Sequence, residues 1–343
     1  MKKKNINVDL VKGIGIILVM IGHSGMFSFI KDKTLLSTII YSIHMPLFFI
    51  IAGFFMKNKV DLLKLVKRLL VPFILASVFW VFIASLLVQL PTYFRSQELY
   101  PYSYDFISQL KKFLKAIFFA TRVDIIGTGL WFLVALFVGR VIWYVLHGLL
   151  KLKITFWYIL AVFSLNYFLY KYLTLNETYF YWMWPQSILT YFFMLIGNYY
   201  YVQNYTTKTG YLDVIILGVI TSFIILSNGR VDISSFKLNN YFSFIFVAIS
   251  GFIIVYKISF LIEEHSNLIK KFFLWCGKES LNILLVHPFL LAIIPYVLIA
   301  NFNEKDVYSR IDYLLLIYLL VFIIVYLYRK LRIYIDDKKI KIY

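Results

Sequence analysis

The sequence predicts an all-α, polytopic integral membrane bundle of about ten transmembrane helices with both termini in the cytoplasm. The first observation behind this prediction is composition. Of the 343 residues, 62% are hydrophobic and only 15% are charged, which leaves more apolar surface than a soluble domain can bury. The second observation is a series of apolar windows, each about 20 residues long, which is the length that spans a bilayer as a helix. The third is the distribution of Lys and Arg between these windows.

The apolar windows place the predicted spans along the whole chain. They are residues 8–29, 36–56, 69–90, 128–148, 154–171, 186–202, 211–227, 241–262, 280–300 and 311–328. The connections carry 21 Lys and Arg on the side that holds both termini and 12 on the other side, so the positive-inside rule places the termini in the cytoplasm. The basic start precedes a long apolar run without a small-residue cleavage site, which predicts an uncleaved first helix.

The net charge of +18 is explained by the membrane rather than by nucleic acid, and no nucleic-acid partner is predicted. Lys and Arg lie in short clusters between apolar segments, where they set topology and contact anionic lipid headgroups. The single cysteine, Cys276, excludes an intramolecular disulfide and a cysteine-based metal cluster. No metal site and no permanently bound cofactor is predicted.

The long connection before the fourth span contains residues 105–120, in which three Lys are spaced among bulky apolar residues. This pattern is typical of a helix that lies in the outer membrane interface. A helix that simply caps the bundle has the same pattern, and the sequence does not distinguish the two.

The first span carries three ionisable side chains, those of Asp9, Lys12 and His23. An ionisable side chain inside a bilayer costs about 2.5–3.5 kcal/mol on insertion scales, so it indicates a functional site. The eleven-residue spacing of Lys12 and His23 returns them to within about 20° of one helix face, about 16 Å apart along the axis. We expect Asp9 and Lys12 near the cytoplasmic surface and His23 near the outer one.

Two more histidines lie in predicted spans, each close to a proline. His44 precedes the helix-kinking Pro46 by two residues and is predicted about 12 Å below the outer surface, against about 9 Å for His23. His287 is predicted nearer the cytoplasmic side. A buried histidine often only bonds the backbone of a neighbouring helix. Two histidines at matched depth, His23 and His44, beside a proline favour a polar cavity. For His287, a place in the polar cavity and a purely structural role both stay open.

Five basic residues lie between positions 57 and 68, at the cytoplasmic edge of the third span. Such a patch suits phosphate or pyrophosphate binding, although positive-inside topology explains it equally well. In the fourth span, Trp131 is interpreted as an interfacial anchor. Arg140 is interpreted as structural, either reaching the inner surface or pairing with an acid such as Asp9.

Five segments together resemble the membrane-bound acyltransferase 3 family, most closely its branch related to fucose 4-O-acetylase. They are residues 9–23 (DLVKGIGIILVMIGH), 43–55 (IHMPLFFIIAGFF), 67–73 (KRLLVPF), 130–137 (LWFLVALF) and 280–291 (SLNILLVHPFLL). The first two, at this spacing, are specific and the others are supportive. The resemblance covers essentially the whole chain and implies an acyltransferase domain over residues 1–330, followed by a short basic cytoplasmic tail, 331–343.

The chain departs from the family pattern at two points. The family places a basic residue, usually arginine, ten residues before the first-helix histidine, and Lys12 stands there. Lysine keeps the point charge but not the planar two-pronged contact of arginine. Before the third span the family often has two arginines three apart, and here only Arg68 matches by its distance from Pro72. Some members carry a fused extracytoplasmic hydrolase-like domain. Without one, transfer to an outer acceptor would use the membrane domain alone or a separate extracytoplasmic partner.

The resemblance implies a multi-pass O-acyltransferase of the bacterial cytoplasmic membrane, which moves an acetyl group from cytoplasmic acetyl-CoA to a hydroxyl of a cell-surface or lipid-linked carbohydrate. His23 would act as a general base or as a covalent acyl carrier. The predicted catalytic residues are His23, His44 and Asp9. The predicted donor-binding residues are Lys12, Lys64, Lys67 and Arg68. The predicted substrate-binding residues are Trp131 and His287.

Two other functions fit the same membrane architecture. A carrier or flippase for a lipid-linked sugar or acyl group would line its path with similar polar residues, but such folds usually show two related halves, and no internal symmetry is visible here. A polysaccharide polymerase also has about ten spans. Dependence of CoA release on an acceptor would separate the transferase from both.

Overall fold

A computed structural model describes residues 5–23, 34–79, 107, 111, 114, 129–175, 181–203, 210–265, 267–298 and 311–340. These segments are helical apart from short connections, and the extended pairing among them is an isolated antiparallel bridge between Asp232 and Lys237. Helices predominate because lipid offers no hydrogen bonds, so a spanning segment must satisfy its own backbone groups.

Eleven helices follow one another in the described part of the chain. They are α1 (Ile6–His23), α2 (Thr34–Phe54), α3 (Leu62–Leu65), α4 (Trp131–Trp143), α5 (Phe156–Leu175), α6 (Trp184–Val202), α7 (Tyr211–Asn228), α8 (Tyr241–His265), α9 (Asn267–Lys278), α10 (Ser280–Leu298) and α11 (Ile311–Ile340). A π-helical turn, Val66–Leu70, continues α3 into a helix over 71–79, and another, Tyr144–Leu149, extends α4.

Each of the ten predicted spans contains a helix in its described part. By length and hydropathy, six of the described helical stretches suffice to cross a membrane: Ile6–His23, Leu36–Phe54, Trp131–Leu149, Tyr211–Asn228, Tyr241–His265 and Leu314–Ile335. The protein is therefore an all-helical membrane protein, while the number ten and the cytoplasmic termini stay predictions.

Three features of the fold bear on other predictions. The short amphipathic helix α9, between the eighth and ninth spans, was not predicted. Helix α11 continues to Ile340, through most of the predicted basic tail. The predicted interfacial helix lies outside the described residues except for Ile107, Lys111 and Leu114, which are helical.

Helix α1 lies at the centre of the bundle, packed against α2, α8, α9 and α10, and its most extensive contact is with α9. Two glycines bring the backbones of α1 and α9 together. A Cβ atom on Gly13 would lie 2.0 Å from the carbonyl oxygen of Phe273, and one on Gly277 would lie 1.8 Å from that of Asp9. Small residues at such crossings are a usual means of packing helices in membranes. The contact fixes α1, which carries both Lys12 and His23, within the bundle.

This contact predicts that Gly277→Ala destabilises the protein. The added methyl group meets a backbone oxygen, which cannot rotate away, so α1 and α9 must separate; overpacking of this kind costs about 1–3 kcal/mol or more. We expect a lower unfolding temperature of the purified protein in detergent. The matched control is Gly218→Ala in α7, where nothing lies within 4 Å of the added atom. Equal unfolding temperatures for the two variants would contradict the packing described here.

Candidate active site

A cavity of about 160 Å³ lies between α1, α2, the π-helical turn after α3, α4 and α10. Its polar lining residues are Lys12, Arg68, Arg140 and Ser280, and the rest of its lining is apolar. Lys12 is the first cavity-lining residue of α1 and Ser280 is the first of α10, whereas Arg140 is the last of α4. This order indicates that the charged residues are concentrated at one end of the cavity. We call this part the cationic end. It suits an anionic group, while the apolar part suits an uncharged chain.

Arg140 is the residue whose role the sequence underestimated. It is half-buried at the cavity wall, and its Nε atom is buried without a hydrogen-bond partner among the described residues. Arg68, whose side chain is exposed, lines the same cavity and adds a second positive charge there. A buried guanidinium donor without a partner is costly, and so is a pair of like charges. A bound anion would relieve both costs. The available signal was the arginine itself, inside an otherwise apolar span.

Asp9 holds Lys12 at the cavity. The Asp9 side chain is buried, and its Oδ1 accepts a hydrogen bond from the Lys12 Nζ at 3.0 Å. The sequence suggested Asp9 as a partner of Arg140, but the Asp9 carboxylate is paired with Lys12. Asp9 precedes His23 by fourteen residues, or about 21 Å of helix. It therefore lies with the cationic end rather than beside His23.

Of the predicted donor-binding residues near the third span, Arg68 lines the cavity, in the π-helical turn that follows α3. Lys64 and Lys67 do not line it, and the side chains of all three are exposed. The Nζ of Lys64 pairs with Asp61 at 3.1 Å, and Asp61 also caps α3 by accepting from the Lys64 backbone N–H. These bonds, the backbone one first, hold the pKa of the Asp61 carboxyl below its usual range. Lys64 thus stabilises the start of α3.

The second feature of the site is a pair of hydrogen-bonded histidines on α1 and α10. The Nδ1 atom of His23 lies 3.0 Å from the Nε2 atom of His287. The two ring planes are inclined by 16° and the ring centroids are 5.2 Å apart, so the rings meet edge to edge through this hydrogen bond. His287 is fully buried, and its Nδ1 donates to the carbonyl oxygen of Ile283 at 2.9 Å. His287 thus lies beside His23 and joins it in one hydrogen-bonded unit, so the prediction that it lies nearer the cytoplasmic side than His23 is wrong.

His44 lies near this pair but has a different hydrogen-bond partner. Its Nδ1 donates to the carbonyl oxygen of Ile40 one turn earlier on α2, and its ring meets Tyr41 edge-on at 5.3 Å between centroids. An electrostatic interaction links His44 to His23. The matched depth of His23 and His44 stays a prediction, and the ring partner of His23 is His287. Helix α2 continues through Pro46.

The three histidines are not among the residues that line the cavity, but each lies on a helix that borders it. Each lies three or four residues from a cavity-lining residue on its own helix, and therefore on the same helix face. The pairs are Val19 with His23, Phe48 with His44, and Leu284 with His287. On α1 the stripe of Lys12, Ile16, Val19 and His23 runs from the cationic end to the histidines. The two parts of the site thus lie along one face of α1.

Gly129, just before α4, lies against both His23 and Leu284, the latter a residue of the cavity lining. Its φ of +89° is one that favours glycine, and a Cβ atom there would lie 3.2 Å from Cε1 of His23 and 3.6 Å from Cδ1 of Leu284. The missing side chain leaves room for the imidazole. Trp131 follows two residues later; it is buried and packs edge-on against Phe49 at 6.4 Å. It lies in the core beside the site.

The segment over 229–240, between α7 and α8, packs near the histidines and was not predicted. The Asp232 carboxylate accepts from the Ser234 N–H at 2.9 Å and from the hydroxyls of Ser234 and Ser235 at 2.6 and 2.7 Å. Its charge acts on both His23 and His44. Arg230 lies 4.2 Å from the centroid of the Tyr41 ring. Nothing in the sequence distinguishes this segment from an ordinary polar loop.

The arrangement supplies three chemical capabilities: cationic groups for an anion, an apolar cavity for an uncharged chain, and an imidazole pair for proton transfer or nucleophilic attack. Among the described residues, no group of three or more His, Cys, Asp or Glu side chains is placed to hold a metal ion.

Comparisons with curated proteins and with solved structures find no significant match. A comparison with protein families gives a different result. The family model described as an acyltransferase domain matches residues 5–330, nearly the whole chain. The chain therefore belongs to the acyltransferase 3 family, and the protein is a membrane acyltransferase.

Proposed function

We propose that this acyltransferase moves an acetyl group from cytoplasmic acetyl-CoA to a hydroxyl of a cell-surface or lipid-linked carbohydrate, in the cytoplasmic membrane of a bacterium. We further propose that it belongs to the fucose 4-O-acetylase-related branch of the family. The observation that carries the proposal is that Lys12, at the cationic end of the cavity, and His23 lie on one face of α1, with the cavity-lining Ile16 and Val19 between them. Membership of an acyltransferase family favours group transfer over a carrier or a polymerase.

The cationic end fits the phosphate groups of the donor. Lys12 is held in place by Asp9, and Arg68 and Arg140 add two guanidinium groups, which bind phosphate oxygens bidentately. The pantetheine arm of CoA is uncharged and extended, so it fits the apolar lining. Along α1, Lys12 and His23 are about 16 Å apart. An arm that follows the cavity from the cationic end would carry its thioester toward Gly129 and His23.

The histidine end fits the acceptor hydroxyl. In direct transfer, His23 takes the hydroxyl proton while the oxygen attacks the thioester carbonyl carbon. The C–S bond then breaks, and the CoA thiolate leaves and is protonated to CoA. In the relay alternative, a nitrogen of His23 attacks the thioester first and carries the acetyl group to the hydroxyl. Both use the same residue and consume one acetyl-CoA for each ester.

His44 fits a hydroxyl-binding role. Because its Nδ1 donates to the Ile40 carbonyl, neutral His44 keeps a lone pair on Nε2 and can accept a hydrogen bond there. It therefore suits an acceptor hydroxyl better than a thioester carbonyl, which needs a donor. Asp232 and the segment around it lie near the same histidines and would form part of the acceptor side.

The first test is acetyl transfer from radiolabelled acetyl-CoA to a panel of glycans by the purified protein in liposomes. His23→Ala should reduce transfer at least about 10²–10⁴-fold, because general-base catalysis contributes that much. The control is His265→Ala, an exposed histidine at the end of α8, which should keep normal activity. Near-normal transfer by His23→Ala would show that the base is another group.

A second test concerns the donor site. Arg140→Gln removes a charged hydrogen bond worth about 1.5–3 kcal/mol, so the KM for acetyl-CoA should rise about 10–100-fold, with a smaller change in kcat. The matched control is Lys64→Gln on the exposed basic patch, where no effect on KM is expected. If Lys64→Gln raised KM and Arg140→Gln did not, the donor phosphates would bind at the exposed patch instead of the cavity.

A further inference from the structure

The hydrogen bonds of the histidine pair determine which ring nitrogens carry protons. A carbonyl oxygen can only accept, so the Nδ1 of His287, 2.9 Å from the Ile283 oxygen, must carry a hydrogen. A neutral imidazole has one N–H, so the Nε2 of His287 has a lone pair. The Nδ1 of His23, 3.0 Å from that lone pair, must then be the donor. Neutral His23 is therefore the Nδ1–H tautomer, with its own lone pair on Nε2.

We propose that His287 is a positioning residue, which holds His23 in the Nδ1–H tautomer so that its Nε2 takes the proton of the acceptor hydroxyl. This inference rests on the proposed function and adds an assignment of roles within the pair. In water a neutral imidazole favours the Nε2–H tautomer, which would place the proton on the reactive nitrogen. The hydrogen bond made by the other nitrogen determines the tautomer, and His287 supplies that bond.

The geometry around His287 suits positioning and not catalysis. Both of its ring nitrogens are engaged, one by the Ile283 carbonyl and the other by His23, so neither is available to a substrate. The hydrogen bond to His287, made by nearly coplanar rings, also restricts rotation of the His23 ring. In the Ser-His-Asp triad a carboxylate has this task, and its loss leaves the wrong tautomer and lowers kcat about 10⁴-fold. In this protein a second imidazole, that of His287, fixes the tautomer.

The pair remains intact during proton transfer. When Nε2 of His23 takes the hydroxyl proton, Nδ1 keeps its own hydrogen and continues to donate to neutral His287. The bond from His287 to the Ile283 carbonyl is also unchanged. The proton gained at Nε2 can therefore pass to the departing thiolate without rearrangement of the hydrogen-bond chain. No further oxidant, reductant or co-reactant is needed.

The kinetic test compares two substitutions at position 287. The amide oxygen of His287→Gln can accept from Nδ1 of His23, whereas His287→Leu removes the acceptor. We expect His287→Leu to lower kcat about 10²–10⁴-fold with little change in the KM for acetyl-CoA, and His287→Gln to recover at least about tenfold of the loss. If Gln is as inactive as Leu, or if Leu retains normal kcat, the positioning role is wrong.

A spectroscopic test does not depend on activity. The protein contains five histidines, so ¹⁵N-histidine labelling gives a small set of ring signals, and that of His23 is the set lost in His23→Ala. We expect His23 to be protonated at Nδ1 in the wild type and to become Nε2–H, or a mixture, in His287→Leu. An Nε2–H form of His23 in the wild type would overturn the inference. Absence of acetyl transfer with the expected tautomer would instead count against the proposed function.

Discussion

The close approach of α1 and α9 is the constraint on which the rest of the site depends. At Gly13 and Gly277 each helix presents bare backbone to a carbonyl oxygen of the other, so neither can shift sideways without losing or overfilling the contact. Helix α1 is therefore held in one position within the bundle. Lys12 and His23 lie on one of its faces, and their separation of about 16 Å is set by the rise of an α-helix. Whatever binds at the cationic end is held at a defined distance from the imidazole.

The charged groups and the histidines of the site lie at different levels along α1. Lys12 is paired with the buried carboxylate of Asp9, so its position is fixed while its cost in the apolar interior is offset. Arg140 presents a buried donor without a partner among the described residues, beside the like charge of Arg68. An interior that keeps such groups uncompensated is prepared for an anion, since the bound anion supplies the missing partner. The histidine end, by contrast, satisfies its groups internally through the chain from His23 to His287 to the Ile283 carbonyl.

Local patterns predicted the helices and part of the site. Apolar windows predicted where helices lie, because length and hydropathy are properties of each segment alone. The eleven-residue spacing of Lys12 and His23 placed both on one face of α1, because helical periodicity is also local. The bond between His23 and His287 joins residues 264 positions apart, and only packing of α1 against α10 determines it. The position of Arg140 at the cavity and the packing of Asp232 beside the histidines likewise depend on contacts between distant segments. Helix α9 was missed because its apolar stretch is short.

The apolar lining between the two ends has a chemical consequence for transfer. Phe48, Phe132 and Leu284 border the space that the uncharged arm of the donor would fill. Once filled, such a space excludes water, and a thioester that reaches His23 is then exposed to the acceptor hydroxyl instead of to hydrolysis. The fixed tautomer of His23 adds to this selectivity, because its reactive lone pair is on the nitrogen that His287 does not occupy. Under the proposed function, the separation of the cationic end from the histidine end by an apolar region would allow one helix to serve an anionic donor and a neutral acceptor at once.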